Sequence, residues 1–146
     1  IEIMKKLNKA ITIASKIYSG YKNNEPMILH PIRVMLQMDD KVSRIVAILH
    51  DVVESGKISI KELSELGFNK NICNAIDSLS RKKGESYNNY IDRVNQNNIA
   101  IKVKIADLKD NYISKINKKK ISKTDKSKIK KYKKAYTKLT GEELTA

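Results

Sequence analysis

The sequence predicts an all-α protein, and three observations carry that expectation. Apolar residues recur at i, i+3 and i+4 along most of the chain. No stretch shows a convincing strand alternation. The 146 residues include only two prolines and five glycines, so few positions interrupt a helix. One compact domain is expected over 1–146, with a core from about residue 3 to 114 and a basic C-terminal helix from about 115 to 140.

Ile3, Leu7, Ala10, Ile11 and Ala14 form an apolar stripe, so a first helix should run to about Tyr18 and stop at Gly20. "GYKNNEP" reads as a polar connector. Pro31 suits the first position of a second helix, over Val34, Met35 and Met38, because its missing N–H costs nothing there. "MDDKVS" supplies acidic N-cap candidates for a third helix marked by Val42, Ile45, Val46, Leu49 and Val53. Ser59 and Glu62 form a capping box for a fourth, which should end at Gly67. A fifth is expected over Lys70–Leu79, then a basic loop "SRKKGES", then a sixth over Ser86–Val94 broken by "NQNN". A long seventh starts near Ile99, with Ile101, Ile105, Leu108 and Tyr112 as its apolar face. A lysine-rich eighth starts near Asp125, and the closing "GEELTA" is expected to fray.

The net charge is +14, and the segment Lys115–Lys138 supplies +11 of it through 12 lysines against Asp125. Such a tail suits an acidic partner such as a polyphosphate or nucleic acid, or simply a solvated helix; no nucleic-acid-binding signature accompanies it. The single cysteine, Cys73, lies among helical apolar positions and reads as a core residue. No apolar run is long enough to cross a bilayer, no signal-peptide layout opens the chain, and no internal disulfide can form. A cytoplasmic setting without a membrane partner is therefore expected.

"AILHDVVESG" sets polar residues inside an apolar run. On the third helix His50, Asp51 and Glu54 should crowd one side, at the margin of the buried face. A buried carboxylate without a partner is costly, and a metal ion removes that cost. Lys104, Asp107 and Asn111 fall together on the flank beside the apolar face of the seventh helix, and His30 is the other histidine. Two histidines with Asp51 and Asp107 would suit Mn²⁺, Fe²⁺ or Zn²⁺. Taken separately, the plainer readings are preferred: His30 as a helix cap and Asp107 as a salt-bridge partner of Lys104.

Three segments together change that balance: "NEPMILHPIRV", "AILHDVVES" and "KVKIADLKDN". In order and spacing they resemble the HD-domain metal-dependent phosphohydrolases, within them the RelA/SpoT-type hydrolases of guanosine tetraphosphate and the small stand-alone alarmone hydrolases. "SLSRKKGESYNNYIDRV" is similar to a segment of the short members. The resemblance implies a helical HD bundle and a metal, usually Mn²⁺, held by His30, His50, Asp51 and Asp107. It implies Glu54, beside Asp51, as the catalytic carboxylate that takes a proton from water or positions it, and loss of the 3′-pyrophosphate as the reaction. Lys22 and Asn111 match nucleotide-lining positions; Lys104 and Arg33 are phosphate neighbours, with Lys82 and Lys83 as alternatives. The expected partner is a small nucleotide of the stringent response.

Three departures from the family pattern stand out. Ser55 replaces the second acid after Glu54, Tyr21 replaces a basic residue, and Leu108 replaces the arginine after Asp107. They leave open a different nucleotide or phosphomonoester as substrate, and a weakly catalytic metal- or nucleotide-binding module.

Overall fold

A computed structural model describes residues 1–146. Helix α1 spans Glu2–Ile17, and its small residues Ala10 and Ala14 are fully buried where it packs on α3, Lys41–Ile48. The connector after α1 is not wholly irregular. Tyr21–Lys22 (β1) pairs antiparallel with Glu25–Pro26 (β2), so the chain does contain one small hairpin. Asn23 and Asn24 make its turn at φ of +53° and +63°, which asparagine tolerates better than most residues. Four residues of strand are too few to show alternation in sequence.

Helix α2, Leu29–Leu36, begins two residues before Pro31, so His30 lies in its first turn and not ahead of it. Pro31 still costs nothing, because N–H groups of the first turn have no helical partner. The Asp40 carboxylate caps α3 by accepting the Ser43 N–H at 2.8 Å.

The expected continuation of α3 to Val53 does not occur. The helix stops at Ile48, and the next residues form tight turns with N–H bonds from His50 to Ala47, Val52 to Leu49 and Gly56 to Val53. Local competition explains the stop. The Ala47 carbonyl, which the Asp51 N–H would need in an α-helix, accepts from the His50 Nδ1 at 2.6 Å. His50, Asp51 and Glu54 therefore do not share a helical face.

Helix α4, Ile60–Glu65, carries the Ser59/Glu62 capping box in full, and Gly67 follows at φ +98°. Asn69, Ser86 and Asn97 cap α5 (Lys70–Ser78), α6 (Tyr87–Val94) and α7 (Asn98–Ile116). Helix α8, Lys123–Thr140, has its own capping box from Ser122 and Asp125, and the Asp125 carboxylate also pairs with Lys115 and Lys118. The basic segment thus begins inside α7, turns over 117–122 and returns as α8 along α7.

The buried apolar cluster draws on every helix, with Ile45, Ile48, Leu49, Ile76 and Leu108 at most 1% exposed. Burying such side chains is worth roughly 1.5–3 kcal/mol each. Cys73 sits in this core, 5% exposed. The C-terminus does not fray as expected: Leu144 is 2% exposed in the same cluster, and the Thr137 hydroxyl donates to the Glu142 carbonyl at 3.0 Å. No helix is long and apolar enough to cross a membrane.

Candidate metal centre

The buried face of α7 differs from the expected one. Ala100, Val103, Lys104, Asp107 and Leu108 are buried, while Ile101 and Ile105 are only half-buried. Lys104 and Asp107 thus lie within the face that packs on α2 and α3, not on its flank. A carboxylate there needs strong partners, and Asp107 has four. Its Oδ1 faces His30 Nε2 at 2.8 Å and His50 Nε2 at 3.3 Å and accepts from Asn111 Nδ2 at 3.2 Å; its Oδ2 accepts from Lys104 Nζ at 2.8 Å.

His30 comes from the first turn of α2, and His50 and Asp51 from the turns after α3. Asp51 Oδ2 stands 3.1 Å from His50 Nε2. One donor atom from each of His30, His50, Asp51 and Asp107 lies within 4.8 Å of the others. The imidazoles meet edge to face with centroids 5.4 Å apart.

The outward nitrogens are tied down. His30 Nδ1 donates to Asp110 Oδ2 at 2.6 Å, and His50 Nδ1 donates to the Ala47 carbonyl at 2.6 Å. With Nδ1–H engaged, Nε2 of each ring is aimed inward, the arrangement of a metal-ligating histidine. Asp110 is held in turn by Arg33, whose Nε donates at 2.7 Å and whose other arm pairs with Glu25. The donor set and its orientation fit a divalent ion such as Mn²⁺, Fe²⁺ or Zn²⁺.

Without a cation between them, the four groups charge one another. Burial opposes charging of His30, but bonds to Asp107 and Asp110 outweigh it and raise the imidazole to about 9. His50 is likewise raised against burial, chiefly by Asp51. Burial pushes the Asp107 carboxyl up, yet Lys104 and the two imidazoles hold it well below the usual carboxylate range. Asp51 is also lowered, His50 outweighing burial. Its side chain is 41% exposed against 5% for Asp107, so Asp51 is the member that faces the opening.

Glu54 stands apart from these four. Its carboxylate accepts the main-chain N–H of Arg81 at 2.5 Å, and partial burial raises it above the ordinary glutamate value. Ser55 is turned away into its own turn, donating to the Val52 carbonyl at 2.5 Å and accepting the Lys57 N–H at 3.1 Å.

The centre opens into a cleft of about 470 Å³. Lys22, Lys104, Asn111 and Arg33 line it with His30, Asp51 and Asp107, whereas Glu54, Lys82, Lys83 and the buried His50 do not. Lys82 is paired with Asp77 at 2.7 Å, and Tyr21 points outward, 78% exposed. The opposite wall was not expected from sequence: Ser114 and Lys115 of α7 with Lys128, Lys131 and Tyr132 of α8. Lys131 lies over the Tyr87 ring at 4.6 Å, and burial with nearby cations lowers its pKa. Asp110, too, escaped sequence reading, although its i, i+3 spacing from Asp107 was a usable signal. The Tyr18 hydroxyl, in the wall near Asp51, is buried without a hydrogen-bond partner.

No family model matches the chain. A GTP pyrophosphokinase of Myxococcus xanthus is 26% identical, the match covering 69% of this chain and 16% of that protein. The chain therefore spans about a sixth of the length of this curated relative. A solved structure described as a metazoan ortholog of SpoT that hydrolyzes ppGpp superposes with a TM-score of 0.77 over 94% of this chain and 87% of its own, at 18% identity. The chain has the HD-domain fold. In this HD fold the expected all-helical bundle is present, with the hairpin and the α8 wall as additions that the helical pattern did not reveal.

Proposed function

We propose that this chain is a metal-dependent phosphohydrolase that removes the 3′-pyrophosphate of guanosine 3′,5′-bis(diphosphate). One observation carries the reading: His30, His50, Asp51 and Asp107 converge at one end of a cleft whose other wall is lysine-rich. The shared fold with a protein described as hydrolyzing ppGpp supports it. Mn²⁺ is the ion we propose for the four ligands. Bound there, a divalent ion would supply an activated water and positive charge for the phosphoryl oxygens.

The side chains divide the remaining work. Asp110 and the Ala47 carbonyl keep the two Nε2 atoms aimed inward. Lys104 is committed to Asp107 and steadies that ligand, while Lys22 has no carboxylate partner and is free to meet a phosphate. Asn111 borders both Asp107 and the cleft. Glu54, outside the cleft lining and raised above the ordinary glutamate value chiefly by burial, is the carboxylate we assign to take a proton from water or orient it. Lys128 and Lys131 add a positive field that speeds arrival of an anionic nucleotide. The buried Cys73 thiol agrees with a reducing, cytoplasmic setting.

The test is Mn²⁺-dependent turnover of guanosine tetraphosphate with products resolved by chromatography. GDP and pyrophosphate are expected from the wild type and not from folded Asp51→Ala. Full turnover by Asp51→Ala would remove the centre from the reaction. A second reading, hydrolysis of a nucleotide with another base, is favoured by Tyr21, which stands where the family has a basic residue and lies outside the cleft. Turnover of a non-guanine analogue at an equal or higher kcat/KM would select it.

A further inference from the structure

We infer that Arg93 is a positioning residue for the site, holding the Ser80–Glu85 loop so that the main-chain N–H of Arg81 fixes the Glu54 carboxylate. The inference rests on the proposed role of Glu54 in the hydrolysis.

The connection is an unbroken set of hydrogen bonds. The Arg93 side chain, from α6, donates to the two Glu85 oxygens at 2.6 and 3.0 Å. Its remaining N–H groups reach the carbonyls of Ser80 at 2.9 Å and Asp77 at 3.2 Å. Glu85 Oε1 also accepts the Lys82 N–H at 3.0 Å, and Arg81 Nε donates to the Glu85 carbonyl at 3.1 Å. Gly84 makes the turn at φ +80°. Both ends of the loop are therefore tied to a single guanidinium, and the N–H between them points at Glu54.

A lone exposed ion pair would hold little. Here a planar fork satisfies a carboxylate and two carbonyls together, which a lysine ammonium cannot reproduce. The bond from Arg81 is the one hydrogen bond Glu54 makes. With serine at position 55 and its hydroxyl held in its own turn, no second acid shares the task, so the orientation of Glu54 falls to this loop.

The experiment is a double-mutant cycle between Arg93 and Glu54, read by kinetics and by the amide resonance of Arg81. Arg93→Gln should lower kcat about tenfold and leave KM within about twofold, because a small misplacement of a reacting group is costly while binding is untouched. Arg93→Lys should recover part of the loss. In a Glu54→Gln background the Arg93→Gln effect should shrink to under about twofold. The Arg81 amide should shift upfield in both Glu54→Gln and Arg93→Gln. An equal loss of kcat in both backgrounds, or an Arg81 amide unmoved in folded Arg93→Gln or Arg93→Lys, overturns the inference. If the wild type turns over no guanosine tetraphosphate, the proposed substrate fails, and the amide shifts alone decide whether Arg93 holds Glu54.

Discussion

Asp110 stands behind His30: the imidazole Nδ1 donates to its Oδ2 at 2.6 Å, which leaves Nε2 aimed at Asp107 Oδ1, 2.8 Å away. Partners of this kind fix the tautomer and raise the basicity of a ligating histidine. Asp110→Asn should therefore weaken Mn²⁺ binding about 10- to 100-fold without unfolding the chain. Calorimetric titration with Mn²⁺ and far-ultraviolet dichroism measure the two. Unchanged affinity would show that Asp107 and the α2 backbone orient the ring unaided.

Tyr18 presents the opposite situation, a buried hydroxyl with no acceptor. Tyr18→Phe removes the unpaired group at little cost in packing. It should stabilise the metal-free protein by about 1 kcal/mol, or roughly 2–4 °C in Tm for a domain of this size. A fall in Tm would mean that the hydroxyl has a partner in solution.

Ser55 closes a turn through Val52 and Lys57 and does not face the cleft. Placing an acid there with Ser55→Asp should accordingly leave the proposed pyrophosphate release no faster. The lost turn bond should cost about 1 kcal/mol, seen as a lower urea midpoint. Faster release would show that a second carboxylate at this position can reach the reaction.

Asp40 caps α3 and pairs with Lys102 at 2.8 Å; the Lys102 ammonium and the Ser43 N–H lower its carboxyl to about 2. A depressed carboxylate stabilises the fold above its unfolded value and loses that contribution as pH falls through the folded one. Asp40→Ala should cost about 1 kcal/mol at pH 7. Its difference from wild type should narrow between pH 3.8 and about 2, followed by denaturant titration. A constant difference across that window would assign the effect to helix propensity.

Leu144, three residues beyond Gly141, is packed in the core at 2% exposure. Leu144→Ala should cost about 3 kcal/mol, a large-to-small loss in a filled site. A urea midpoint unchanged from wild type would return the last residues to the solvent.

Much of the fold was legible because its signals are local. The Ser59/Glu62 box, the stop at Gly67 and the periodicity of α1 each depend on residues within a turn or two. The end of α3 at Ile48 was not legible, because it depends on which carbonyl the His50 ring selects. The hairpin was missed because two asparagines at positive φ leave only a faint mark in composition. At the candidate site, the four ligand candidates could be named only through the resemblance of three segments to the HD-domain phosphohydrolases, while Asp110, Arg81 and the α8 wall were not named at all.

By itself, then, the sequence determined which segments become helices and where most of them are capped, since periodicity and caps belong to neighbouring residues. Only the tertiary structure decided that α8 folds back along α7 to bring Lys128 and Lys131 to the cleft, and that Arg81 is presented to Glu54 across 27 residues. Those contacts depend on the packing of distant elements, which no local pattern encodes.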